Sequence, residues 1–139
     1  MKITILFAFL AVLCLSLIGC SSNKDADVTA FTTELDTVTA DITKKIDANP
    51  TSAGVDEAQK VLDAKKADLK AKHSAIITGL KNAGTITPEA QKKFTESTGK
   101  NTSAIAGIGS KHTGAMMKDP AMSQKIAKLA TDYTSIFQP

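Results

Sequence analysis

The 139-residue chain has no Trp, no Arg, a single Tyr, two Cys and two His. Each shortage removes something. With aromatic residues at 4%, a sheet built on bulky cross-strand pairs has little material. The abundant Ala, Lys and aliphatic side chains suit closely packed helices instead. Because there is no Arg, all 17 basic side chains are Lys, and the planar fork that grips a phosphate in two places is missing. With a net charge of only +3, no nucleic-acid partner is expected. Two His leave few ways to assemble a Ser-His-carboxylate relay or a zinc centre. The chain also shows no nucleophile elbow, phosphate-cradling loop or metalloprotease helix. Neither catalysis nor a cofactor is expected.

What is present begins at the N-terminus. Lys2 is followed by an almost unbroken apolar run over residues 3–18, a charged start and hydrophobic core of signal-peptide length. The run is short of the ~20 residues that a bilayer-crossing helix needs. It stops at Gly19, and Ser21-Ser22-Asn23-Lys24-Asp25 follows without a basic cluster to hold it in the membrane.

The run ends in Leu17-Ile18-Gly19-Cys20, which resembles the lipobox of bacterial lipoproteins. The likeness covers the first two dozen residues only. It implies signal cleavage between Gly19 and Cys20, with a diacylglyceryl group on the Cys20 thiol and often an acyl group on the freed amine. A thiol is the soft nucleophile such thioether formation needs, and the small Gly19 leaves room beside the scissile bond. Two or three acyl chains, at about 0.8 kcal/mol per buried methylene, make a stable anchor where one chain binds reversibly. The resemblance also bears on address. Ser21 follows the cysteine where an Asp would favour retention in the inner membrane, which implies the periplasmic face of the outer membrane where the source cell has one, and the outer face of the cell membrane where it does not. Cys14 would leave with the signal and Cys20 would be alkylated, so the mature fold is expected to stand on packing without a disulfide.

The resulting division is a signal peptide over 1–19, a lipidated N-terminus and short tether over 20–27, and a helical domain over 28–139. Val28, Phe31, Leu35, Val38, Ile42 and Ile46 recur at steps of three and four, which predicts a helix over residues 28–48. Its Thr content favours strand, but no period of two is present. Asn49-Pro50-Thr51-Ser52 interrupts and supplies N-caps. Val55, Ala58, Leu62, Leu69, His73, Ile76 and Leu80 then form a second stripe ending near Gly84. The short connection predicts an antiparallel pair. Thr87-Pro88-Glu89 reads as cap, first-turn proline and first-turn carboxylate. A thinner stripe of Phe94, Asn101, Ile105 and Ile108 follows, and Met122, Ile126, Leu129, Tyr133 and Ile136 or Phe137 continue it after Asp119-Pro120. The expected fold is therefore all-α, an antiparallel bundle of three long helices. The third is kinked or split near Pro120, and a split makes the helices four.

Charge follows the same units. The first segment is mostly acidic before Lys44, while the later ones carry most lysines, so neighbours of opposite sign are expected to pair modestly. Within helices, Asp41–Lys45, Asp56–Lys60, Asp68–Lys72 and Glu96–Lys100 have ion-pair spacing.

The one segment with ligand chemistry is His112 with Met116, Met117 and Met122. Imidazole and thioethers suit copper, especially the reduced ion. The competing reading is core filling at a bend, since Met adapts to irregular gaps and His112 and Met122 fall on the apolar stripe. His73 is expected as a boundary histidine with one hydrogen-bonded nitrogen, on a stripe that would let it face His112. The small helical form also resembles the murein lipoprotein, whose C-terminal Lys joins peptidoglycan. This chain reads Ser135-Ile136-Phe137-Gln138-Pro139 there, so covalent wall attachment by that route is not expected. The leading expectation is a lipid-anchored, non-enzymatic envelope protein that offers a face to a protein or polysaccharide partner. Copper binding through the His/Met segment is the alternative.

Overall fold

The computed structural model describes residues 24–139. The expected signal peptide, the cleavage position at Gly19 and the lipidated Cys20 all lie outside the described residues. Among the described residues the fold is all-α, with no strand. Four helices of more than two turns are α1 (Asp25–Ala48), α2 (Ser52–Lys81), α3 (Pro88–Lys111) and α5 (Pro120–Thr134). A six-residue α4 (Thr113–Lys118) lies between the last two, and a 3-10 turn spans Ser135–Phe137.

The stripes read from sequence become the core. Val28, Phe31, Leu35, Val38, Ile42 and Ile46 of α1 are buried, as are Val55, Ala58, Leu62, Leu69 and Ile76 of α2. The same holds for Phe94, Ile105 and Ile108 of α3 and for Met122, Ile126, Leu129 and Tyr133 of α5. The threonines of α1 do not oppose the helix, because their hydroxyls turn back onto it. Thr33, Thr37 and Thr39 donate to the carbonyls of Thr29, Thr33 and Leu35 at 2.8–2.9 Å, a satisfaction of side-chain polarity that needs no water.

The breaks are where the capping residues stand. Thr51 accepts from the Gly54 amide, Thr87 from Ala90 and Asp119 from Met122. Helix α2 ends at Lys81, short of Gly84, which sits in the following loop at φ 84°, a left-handed position that suits glycine. Gly54 is needed for another reason: a Cβ there would lie 1.8 Å from the Asn49 carbonyl oxygen.

The expected single helix kinked at Pro120 is not found. The split alternative is, and the chain reverses direction across α4. Asp119 accepts from the Ser52 amide at 2.7 Å, Lys125 pairs with Asp56, and Asp132 meets Gln59 and Lys66. Thus α5 runs alongside α2 in the same sense and antiparallel to α3. A bent helix and a folded-back one keep the same apolar phase, so spacing could not separate them. Helix α1 is flanked by α2 and α3, and α5 by the same two, so α2 and α3 stand on a diagonal of the four-helix square. The α1–α3 contacts advance together along both helices: Asp25 meets Thr87, Asp36 meets Asn101 and Asp47 meets Lys111, so these helices are parallel neighbours.

Two polar groups inside the bundle hold this arrangement. Asn101 is 2% exposed and donates to the Asp36 carboxylate and the Ser97 carbonyl. Tyr133 is fully buried and reaches Thr39 at 2.6 Å across the other diagonal. Thr39 already donates to Leu35, so the phenol donates and the threonine oxygen accepts. Burial pushes the Tyr133 hydroxyl up to about 12.

The expected opposite-sign pairing between α1 and its neighbours is present. Glu34 holds Lys65 and Lys72, Asp36 faces Lys100, and Asp47 holds Lys111. Of the four expected intrahelical pairs, only Asp68–Lys72 forms, at 2.6 Å. Asp56 turns to Lys125 of α5, Lys60 to Glu57, Lys100 to α1 and Glu96 to Lys92. The cross-helix partners are nearer than spacing along one helix can foresee.

Helix α1 begins at Asp25, three positions before Val28, where the apolar stripe placed its start. Asp25 and Asp27 sit in the first turn, where carboxylates favour the helix dipole. The Asp25 carboxylate also accepts from the amide and hydroxyl of Thr87 at 3.0 and 2.8 Å.

Candidate functional site at the two ends of the bundle

The chemistry-bearing side chains sit at opposite ends. His112 lies at the α3–α4 junction, beside the last turn of α1. Its Nε2 is 2.9 Å from Asp47 Oδ1, while Lys111 Nζ is 2.6 Å from Asp47 Oδ2. Both carboxylate oxygens are therefore engaged. The Lys111 ammonium, then His112, holds the Asp47 carboxyl below its ordinary range.

The three methionines expected to join His112 have three different surroundings. Met122 is fully buried in the core, Met116 packs half-buried against it, and Met117 is 81% exposed. Met116 lies by Gly109, where a Cβ would meet its Cε at 3.9 Å. Met122 and Met116 thus pack with the core, and the three thioethers do not share one environment. Among the described residues, no group of three or more His, Cys, Asp or Glu is placed to hold a metal ion.

His73 does not face His112. It sits at the other end, among Phe31, Phe94 and Phe137, with ring centroids at 6.0, 5.6 and 5.4 Å. The Phe94 ring stacks on it across the α2–α3 diagonal, and Phe137 meets it edge-on. The expected hydrogen bond to one ring nitrogen is not formed with any described residue. Burial alone lowers the His73 pKa from its ordinary 6.5, which keeps the imidazole neutral. Only the distance between stripes, set by the closing turn at Phe137, could have revealed this surrounding, and periodicity does not carry that information.

A groove of about 430 Å³ opens beside His73, with Ser74, Ile77, Lys81, Phe137 and Pro139 on its walls. Ser74 and His73 are consecutive in α2, so their side chains diverge around the helix. No described carboxylate bonds the imidazole to orient it, so the relay that activates a serine is not assembled here. No known protein family, curated protein or solved structure matches the chain.

Proposed function

We propose that this protein is a bacterial envelope lipoprotein whose helical domain, held to the membrane through lipid on Cys20, serves a structural or interaction role without catalysis. The observation that carries the reading is Leu17-Ile18-Gly19-Cys20 at the end of an apolar run, five positions before α1 begins at Asp25. Ser21 after the cysteine favours the periplasmic face of the outer membrane where the source cell has one. Among the described residues no helix is long and apolar enough to cross a membrane, and acyl chains on Cys20 would supply the attachment. The partner expected for the bundle is another envelope protein or a polysaccharide.

The intact mass of the membrane-extracted protein tests the anchor directly. The expected value is that of the chain from Cys20 with two or three acyl chains. Cys20→Ser is expected to leave an unacylated precursor and to move the helical domain out of the membrane pellet after protease release. A Cys20→Ser product that sediments with vesicles unchanged, carrying the same mass as before, would overturn the reading. Crosslinking in native membranes then identifies what the bundle touches.

A further inference from the structure

The end of the bundle that carries the α2–α3 loop is where the chain leaves toward Cys20, and three contacts fix that exit. The Lys24 amide donates to the Thr85 carbonyl at 2.9 Å. One residue on, the Asp25 carboxylate accepts from the Thr87 amide and hydroxyl. The Lys24 side chain lies along α2, so close that a Cβ on Gly79 would be 3.0 Å from its Cδ. From Lys24 to Cys20 is four residues, at most about 14 Å when fully extended. By contrast, α1 with its 24 residues is about 36 Å long. The leash is less than half the height of the bundle.

We infer that the bundle stands on the bilayer by this end, with loop 82–87 and the closing turn against the lipid headgroups and the α4 end outermost. The inference rests on the Cys20 anchor proposed above and adds the contact surface and the orientation. At this end exposed Asn82, Ala83 and Gly84 form the tip. The same geometry places the Asp47, Lys111 and His112 cluster and exposed Met117 farthest from the membrane.

The experiment uses the full lipidated chain in vesicles of phosphatidylethanolamine and phosphatidylglycerol. A fluorophore is placed on Asn82→Cys in one variant and on Met117→Cys in another, since the mature chain would hold no other free thiol. Quenching by headgroup spin-labelled lipid is expected to be several-fold stronger at position 82 than at 117, and Ala83→Cys repeats the basal position should Asn82→Cys disturb the loop. Equal quenching at both ends, as a bundle lying on its flank would give, or stronger quenching at 117 overturns the orientation. Intact mass of the same samples separates the two failures. Acylated protein with the wrong quenching pattern removes the orientation alone, whereas protein without acyl mass removes the anchor and the orientation with it.

Discussion

At the scale of single residues, the interior is mostly aliphatic, and its few polar atoms differ sharply in how they are satisfied. Asn101 spends its amide on Asp36 and Ser97, so a polar group at a buried position favours one alignment of α3 on α1 over its neighbours. The Thr39–Tyr133 contact completes a chain from phenol to hydroxyl to the Leu35 carbonyl. Thr98 is the exception, the one buried side-chain oxygen without a partner among the described residues. An unpaired buried hydroxyl costs more than a missing one, whereas losing one bond of a satisfied chain costs only its net worth. Two substitutions of the same chemical size are therefore expected to diverge. Tyr133→Phe should lower stability by about 1 kcal/mol, while Thr98→Val should be neutral or raise it by up to about 1 kcal/mol. Urea midpoints at constant m-value measure both, and a loss at Thr98→Val matching that of Tyr133→Phe would show that the Thr98 hydroxyl is satisfied after all.

At the scale of helices, the glycines separate local propensity from close approach. Gly54 begins α2 under the Asn49 carbonyl, whereas Gly99 and Gly107 of α3 have nothing within 4 Å of where a Cβ would stand. Alanine in an open helical position gains about 0.5–1 kcal/mol over glycine. An atom forced against backbone costs about 1–3 kcal/mol. Gly99→Ala or Gly107→Ala should therefore raise the thermal midpoint and Gly54→Ala lower it, a difference of sign that calorimetry on the three variants would show. The helices themselves were legible in the sequence, because stripes such as Val28–Ile46 and caps such as Thr51, Thr87 and Asp119 report local geometry. What was not legible depends on distances between elements. The reversal at α4 leaves the apolar phase of Ile105 through Tyr133 unchanged, and Lys125 reaches Asp56 only because α5 returns beside α2. The start of α1 at Asp25 rests on a bond to Thr87, 62 positions away. The same limit applies to the sites: His112 and Met122 were placed on the inward stripe, but only the fold shows that Asp47 takes the His112 nitrogen and that His73 lies in a ring cluster at the far end.

At the scale of the whole molecule, the titrating groups make stability a function of pH with separable limbs. Burial lowers the His73 pKa below 6.5, so the unfolded chain takes up a proton near that value and the folded chain resists it. Unfolding then gains free energy as pH falls through about 6.5, and stability declines. The neighbours facing His73 are Phe31, Phe94 and Phe137, with Lys81 on the shared groove, and no described carboxylate offsets the charge. The carboxylates act later. Glu34, held low first by Lys72 and then Lys65, and Asp132, held low by Lys128 and Lys66, contribute stability above their ordinary 4.5 and 3.8 and lose it as pH falls through their lowered values. At the alkaline side, Tyr133 resists ionisation up to about 12, and Lys72 and Lys128 keep their protons above the ordinary 10.5. The unfolded chain releases all three sooner, so stability falls as pH rises beyond about 10. The profile is therefore a plateau from about 6.5 to 10 with a shallow acid shoulder before the steep acid limb. His73→Phe should abolish the shoulder and leave the carboxylate limb in place, while 1 M salt should weaken the carboxylate limb by screening the exposed pairs and spare the shoulder, which comes from burial. Urea midpoints from pH 7.5 to 3 with both proteins, and an NMR titration of the His73 ring proton, measure these effects. A shoulder that survives His73→Phe would mean that another group carries it and that the ring cluster does not hold this imidazole neutral.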